Sequence, residues 1–148
     1  ARQSCRAFGR LRRQLAEIEY AAVETNFTLG LSDLMGRLNR RSLVILMTEF
    51  VDIVTAELMV ENVARLAQRH LVLFVTLKDP QIEAMVDRGP HAFRDVAESV
   101  AAEEMRRDRL VVLERLRRLG ILCIEASHER FGAALLNRYI EIKQRGLI

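Results

Sequence analysis

Thr48, Glu49 and Asp52 sit close together directly after the apolar run Leu43-Val44-Ile45-Leu46-Met47. A hydroxyl and two carboxylates at that spacing can recognise a partner's cation, offer oxygen ligands to a divalent ion, or act as acid and base in hydrolysis. Asp79, in Lys78-Asp79-Pro80, and His128, in Ser127-His128-Glu129, take the same place after two further apolar runs. The same residue types also serve a plainer purpose. Asp, Thr and Asn side chains accept hydrogen bonds from the free amides of a helix's first turn. Asp52 and Thr55 stand where a helix begins, as do Thr25 and Asn26. A triad around His128 would need a nucleophile and an orienting acid, and spacing locates neither.

These residues depend on the elements that carry them. Five consecutive apolar residues, with no alternation, indicate a strand covered by helices on both faces. The segments 42–49, 70–77 and 121–126 read as three such strands. Between them lie helical patterns: Leu58, Val63, Leu66 and Ala67 after the first strand, and residues 92–119 after the second. The latter stretch lacks glycine and proline until Gly120 and predicts one long helix, with a stripe of Phe93, Val96, Val100, Val112, Leu116 and Leu119. A short helix is expected from about 81 to 86. Phe131, Leu135, Tyr139 and Ile142 mark a closing one, and Phe8, Leu11, Leu15 and Ile18 an opening one laid on the core between Cys5 and Ala22. A helix carrying Leu31, Leu34, Met35 and Leu38 precedes the first strand.

Alternating strands and helices with long crossovers imply an α/β fold, a three-layer, partial doubly wound sheet of three parallel strands with flanking helices. Ligands of such sheets bind beyond the carboxyl ends of the strands, where Thr48, Glu49, Asp52, Asp79 and His128 are expected. The first strand is as apolar as a central one, yet nothing in the chain can pair with its free side. An unpaired apolar edge is a template for another chain, so a homodimer is expected.

The 148 residues suffice for one domain spanning 1–148, and half of them are hydrophobic and 29% charged. The net charge of +3, from 23 basic and 20 acidic residues, is too small to make the whole surface a polyanion-binding face. Arginine clusters at 37, 40 and 41, at 106, 107 and 109 and at 115, 117 and 118 read as solvated helix faces and not as a nucleic-acid site, with Glu103, Glu104, Asp108 and Glu114 interleaved at helical spacing. Cys5 and Cys123 read as two free thiols in a reducing compartment. No phosphate-binding glycine loop, zinc-ligand spacing or membrane-spanning apolar run is present in the sequence.

The stretches 40–52, 70–80 and 135–143 (Arg-Arg-Ser-Leu-Val-Ile-Leu-Met-Thr-Glu-Phe-Val-Asp, His-Leu-Val-Leu-Phe-Val-Thr-Leu-Lys-Asp-Pro and Leu-Leu-Asn-Arg-Tyr-Ile-Glu-Ile-Lys) resemble, in order and spacing, the bacterial family catalogued as domain of unknown function fifty-eight. The resemblance is to the C-terminal half of that family's von Willebrand factor A-like domain. It implies a C-terminal piece of a longer domain, cytoplasmic, with membrane anchoring only through segments outside this chain, and a MoxR-type AAA+ ATPase as protein partner. It also implies a metal-ion-dependent adhesion site. The Thr of that site resembles Thr25, and its late acidic position resembles Glu49, where the family usually has Asp; the Asp-x-Ser-x-Ser loop does not occur. The implied site is degenerate, with no cofactor held tightly and weak Mg2+ at most, in a longer chain. The resulting expectation is a non-enzymatic interaction module that uses Thr48, Asp52, Asp79 and His128 toward its partner. The alternative is a hydrolytic or transferase enzyme using Glu49, Asp52 and His128.

Overall fold

Leu71–Leu77 contains one polar residue, Thr76, and forms the central strand of the sheet, β2. The computed structural model describes residues 2–19, 21, 23, 25–49, 53–88 and 93–148. Helices α1 (Arg2–Ala16) and α2 (Phe27–Arg37) precede β1 (Leu43–Met47), and α3 (Ile53–Ala67) connects β1 to β2. After β2 come α4 (Pro80–Arg88), α5 (Phe93–Arg118), β3 (Leu122–Ala126) and α6 (Phe131–Gln144). The strands run parallel in the order β1-β2-β3, with Leu43 opposite Leu71 and Leu73 opposite Leu122. This is the expected α/β architecture, an open three-stranded sheet flanked by helices, with each strand beginning within a residue of the sequence reading.

Alternate side chains of β2 enter two cores, as the period of two in a strand requires. Val72 and Phe74 pack with Ala56, Met59, Val60, Val63 and Leu66 of α3, Val112, Leu113 and Leu116 of α5, and Phe27 and Leu31 of α2. Leu73 and Val75 face the other way, onto Ile142 of α6. Helices therefore lie on both faces, three on one side and α6 on the other. Helix α4 packs on α5.

Helices α5 and α6 end alike. Gly120 has φ 78° and Gly146 φ 62°, the left-handed conformation that closes a helix with a Schellman motif. Gly120 N–H donates to the Arg117 carbonyl at 2.9 Å and Ile121 N–H to that of Leu116 at 3.1 Å. Gly146 and Leu147 repeat the pattern onto Lys143 and Ile142. In both, the residue after the glycine is apolar and joins the core of the residue it bonds, Ile121 with Leu116 and Leu147 with Ile142.

Two expectations fail in packing. Phe8, Leu11, Leu15 and Ile18 are all more than half exposed, so the opening helix is not laid on the core, and it ends at Ala16 instead of continuing to position 22. An apolar stripe shows that a helix has an apolar face; it does not supply the surface that covers it. Val96, Val100 and Leu119 of the long helix are likewise exposed, while Ala102, Val112, Leu113 and Leu116 are buried.

Gly120→Ala should lower stability by about 1–2 kcal/mol in urea denaturation, because an added Cβ meets no atom within 4 Å and only the left-handed backbone opposes it. On α6, the Glu141 carboxyl is held below its ordinary range by hydrogen bonds from Arg138 and then Arg145. A depressed carboxylate stabilises fully above its unfolded pKa and loses that contribution as pH falls through the lowered folded value. Glu141→Gln should therefore lower the neutral plateau of a stability-against-pH profile slightly and flatten its acid limb, so that the two proteins converge at low pH.

Candidate functional site

The carboxyl ends of the three strands gather charge. Thr48 extends β1 by one bond, its N–H donating to the Val75 carbonyl at 3.2 Å, and its hydroxyl donates to the Glu49 carbonyl at 3.1 Å. Glu49 then turns toward α5, where its Oε1 accepts from Nη2 of Arg109 at 3.0 Å. Nη1 of the same guanidinium donates to the Leu77 carbonyl at the end of β2, at 2.8 Å. One arginine thus joins the ends of two adjacent strands. Its side chain is 16% exposed against 54% for Glu49, so the cation is the sheltered member of the pair.

Beyond β2, Lys78 N–H donates to the Ala126 carbonyl, tying the end of β2 to that of β3. Its ammonium meets Glu83 Oε1 at 2.8 Å, and that hydrogen bond, with the nearby charge of Glu125, raises its pKa above the ordinary lysine value despite the opposing Arg109. The region alternates two cations with three carboxylates, Glu49, Glu83 and Glu125.

Asp79 is used structurally. Its Oδ1 accepts from the Gln81 amide at 2.8 Å and from that of Ile82 at 3.4 Å, capping α4. Asn26 does the same for α2, accepting from Leu29 N–H at 2.9 Å. His128 stands exposed in the turn after β3, and among the described residues no group pairs with its ring, so the orienting hydrogen bond of a catalytic histidine is not made. Asp52 lies outside the described residues.

Thr25 belongs to a separate groove of about 570 Å³ between α2 and α3, lined with the hydroxyls of Thr28, Ser32 and Thr55 and the apolar Phe27 and Leu58. Beneath it, the buried Asn62 amide donates to Thr28 Oγ1 at 3.1 Å and to the Leu58 carbonyl at 2.7 Å. Glu49 does not line this groove. The two residues expected to share a metal are thus divided, one among hydroxyls and one held by a guanidinium. Magnesium requires several oxygens in near-octahedral array, and among the described residues no three His, Cys, Asp or Glu side chains form a group that could hold a metal. The described residues do not fit an adhesion-type ion.

Arg109 was the residue hardest to see, since it falls in a cluster that reads as a solvated face. A signal existed: it lies seven positions after the buried Ala102 and three before the buried Val112, on the inward stripe of α5. Its neighbours behave as the charge pattern suggests, with Arg106 bonded to Glu103 and Arg118 to Glu114. Cys123 is a free thiol, and burial pushes its pKa up, which keeps it protonated.

A family model described as protein of unknown function DUF58 matches residues 1–116. The chain belongs to that family. The match covers α1 to most of α5, including both β1 and β2, and ends before the stretch 135–143. No curated protein and no solved structure matches the chain. Among the described residues of this DUF58 protein, no helix is long and apolar enough to cross a membrane.

Arg109→Gln should lower stability by about 1–2 kcal/mol in urea denaturation, since the Leu77 carbonyl loses a sheltered donor while half-exposed Glu49 falls back on water. Millimolar Mg2+ should leave the melting temperature of the unaltered protein unchanged. A rise would mean that Glu49 leaves Arg109 for the ion.

Proposed function

We propose that this DUF58 protein is a protein-interaction module, an adaptor or partner of a MoxR-type AAA+ ATPase, acting on the cytoplasmic side through a von Willebrand A-like fold with an incomplete adhesion site. The observation that carries the reading is the open flank of β1. Among the described residues the strand pairs on one side only, and on the α6 side of the sheet Ile45 is 36% exposed and Met47 56% exposed, with Leu77 beside them. Such an edge offers unpaired backbone groups and apolar side chains together, the combination used when an extended segment of a partner adds a strand. The charged strand ends beside it, with Glu49, Lys78 and Glu125, would set the partner's register through salt-dependent contacts.

Self-association uses the same surface. Two copies pairing through β1 would join their sheets and cover Ile45 and Met47, which makes a homodimer the expected state where no partner is present.

Ile45→Lys/Met47→Lys, which places two charges on the open flank, should weaken binding to the MoxR-type ATPase at least about tenfold in calorimetric titration and give a monomeric mass in light scattering. The adaptor reading fails if the unaltered protein does not bind the ATPase. The homodimer fails separately if the unaltered protein is already monomeric by light scattering.

A further inference from the structure

At the amino ends of the strands, opposite the Glu49–Arg109 pair, three arginines converge. Arg40 and Arg41 lie in the connection from α2 to β1, and Arg69 in the turn from α3 to β2. With Asn39 and His70 they line a hollow of about 600 Å³. His70 is its buried member, 7% exposed, and its Nδ1 has no hydrogen-bond partner. Arg37, Arg106, Arg109, Arg115 and Arg118 each have a carboxylate within reach. Among the described residues Arg40, Arg41 and Arg69 have none, and no acidic residue lines the hollow. The backbone N–H groups of Asn39, Arg40 and Arg41 donate to no carbonyl among the described residues.

Helices α2 and α3 both end here, and their carbonyl ends attract cations. That accounts for an arginine at each helix end. It does not require three of them around one hollow, without an acid, beside a loop whose amides are free.

We propose that this hollow binds a phosphate-type oxyanion. Each guanidinium presents a planar fork of N–H donors that matches two oxygens of a tetrahedral anion. The volume admits more than a single phosphate, so a pyrophosphate or a phosphate ester fits the class. The site lies at the opposite end of the strands from the charged cluster around Glu49. It is independent of the adaptor reading.

Calorimetric titration with inorganic pyrophosphate, and sedimentation with phosphatidylcholine vesicles doped with phosphatidic acid, test the proposal and distinguish a free phosphate from a lipid headgroup. Saturable binding to one of them is expected, weakening steeply with salt. Arg69→Gln and Arg40→Gln/Arg41→Gln should each weaken it at least about tenfold. Arg69→Lys, which keeps the charge and loses the fork, should fall between. Arg130→Gln, an exposed arginine after β3, should change nothing. If Arg69→Gln does not fold, as judged by circular dichroism, Arg69→Lys and the double variant decide. The proposal is overturned if neither probe binds saturably at low salt, or if Arg130→Gln costs as much affinity as the altered hollow.

Discussion

The structure depends on β2 being buried from both sides. Val72 and Phe74 on one face and Leu73 and Val75 on the other are all essentially without solvent contact. Each such side chain contributes about 1.5–3 kcal/mol by leaving water, and among the described strands only β2 has buried side chains on both faces. The two cores therefore lie on opposite faces of the sheet, with β2 the strand most deeply buried between them. The helices stay where β2's alternation puts them, and the flanking strands take their register from it. β1 in turn brings Thr48 and Glu49 to the sheet's carboxyl end, and the connections before β1 and β2 bring Arg40, Arg41 and Arg69 to the amino end.

Between the ends of β1 and β2, the Arg109 guanidinium donates to the Leu77 carbonyl and takes Glu49 as counter-charge. A guanidinium has five donors and no acceptor, so it can hold a carbonyl and a carboxylate simultaneously. A carboxylate already held in this way is a weaker ligand for a second cation.

The strands were legible because an uninterrupted apolar run has few other meanings, and the long helix because nothing in 92–119 interrupts it. Gly120 was readable as its stop, since the left-handed φ it adopts costs other residues free energy. What could not be read was contact. The stripe Phe8, Leu11, Leu15 and Ile18 has the periodicity of a packed helix, and its exposure depends on what lies opposite, a property the helix sequence does not contain. Asp79 reads as a partner-facing residue after a strand; the distance to the Gln81 amide is what makes it the cap of α4. Arg109 was concealed by its sequence neighbours. Three arginines in four positions suggest one shared surface, but α5 rotates about 100° per residue, so Arg106 faces Glu103 while Arg109 faces the strand ends.

The pairing pattern also governs how the chain acquires this shape. Leu43 finds Leu71 only across the whole of α3, and Leu73 finds Leu122 only across both α4 and α5. With no hairpin among the described strands, loop-closure entropy must be met before any contact between these strands offsets it. Folding should therefore begin where local contacts are richest, with α3 closing β1 against β2, and finish when β3 and α6 seal the second face. Until then the apolar sides of β2 are open to solvent as well as the flank of β1, so the interval between those two steps is when intermolecular strand addition competes most strongly with the native route.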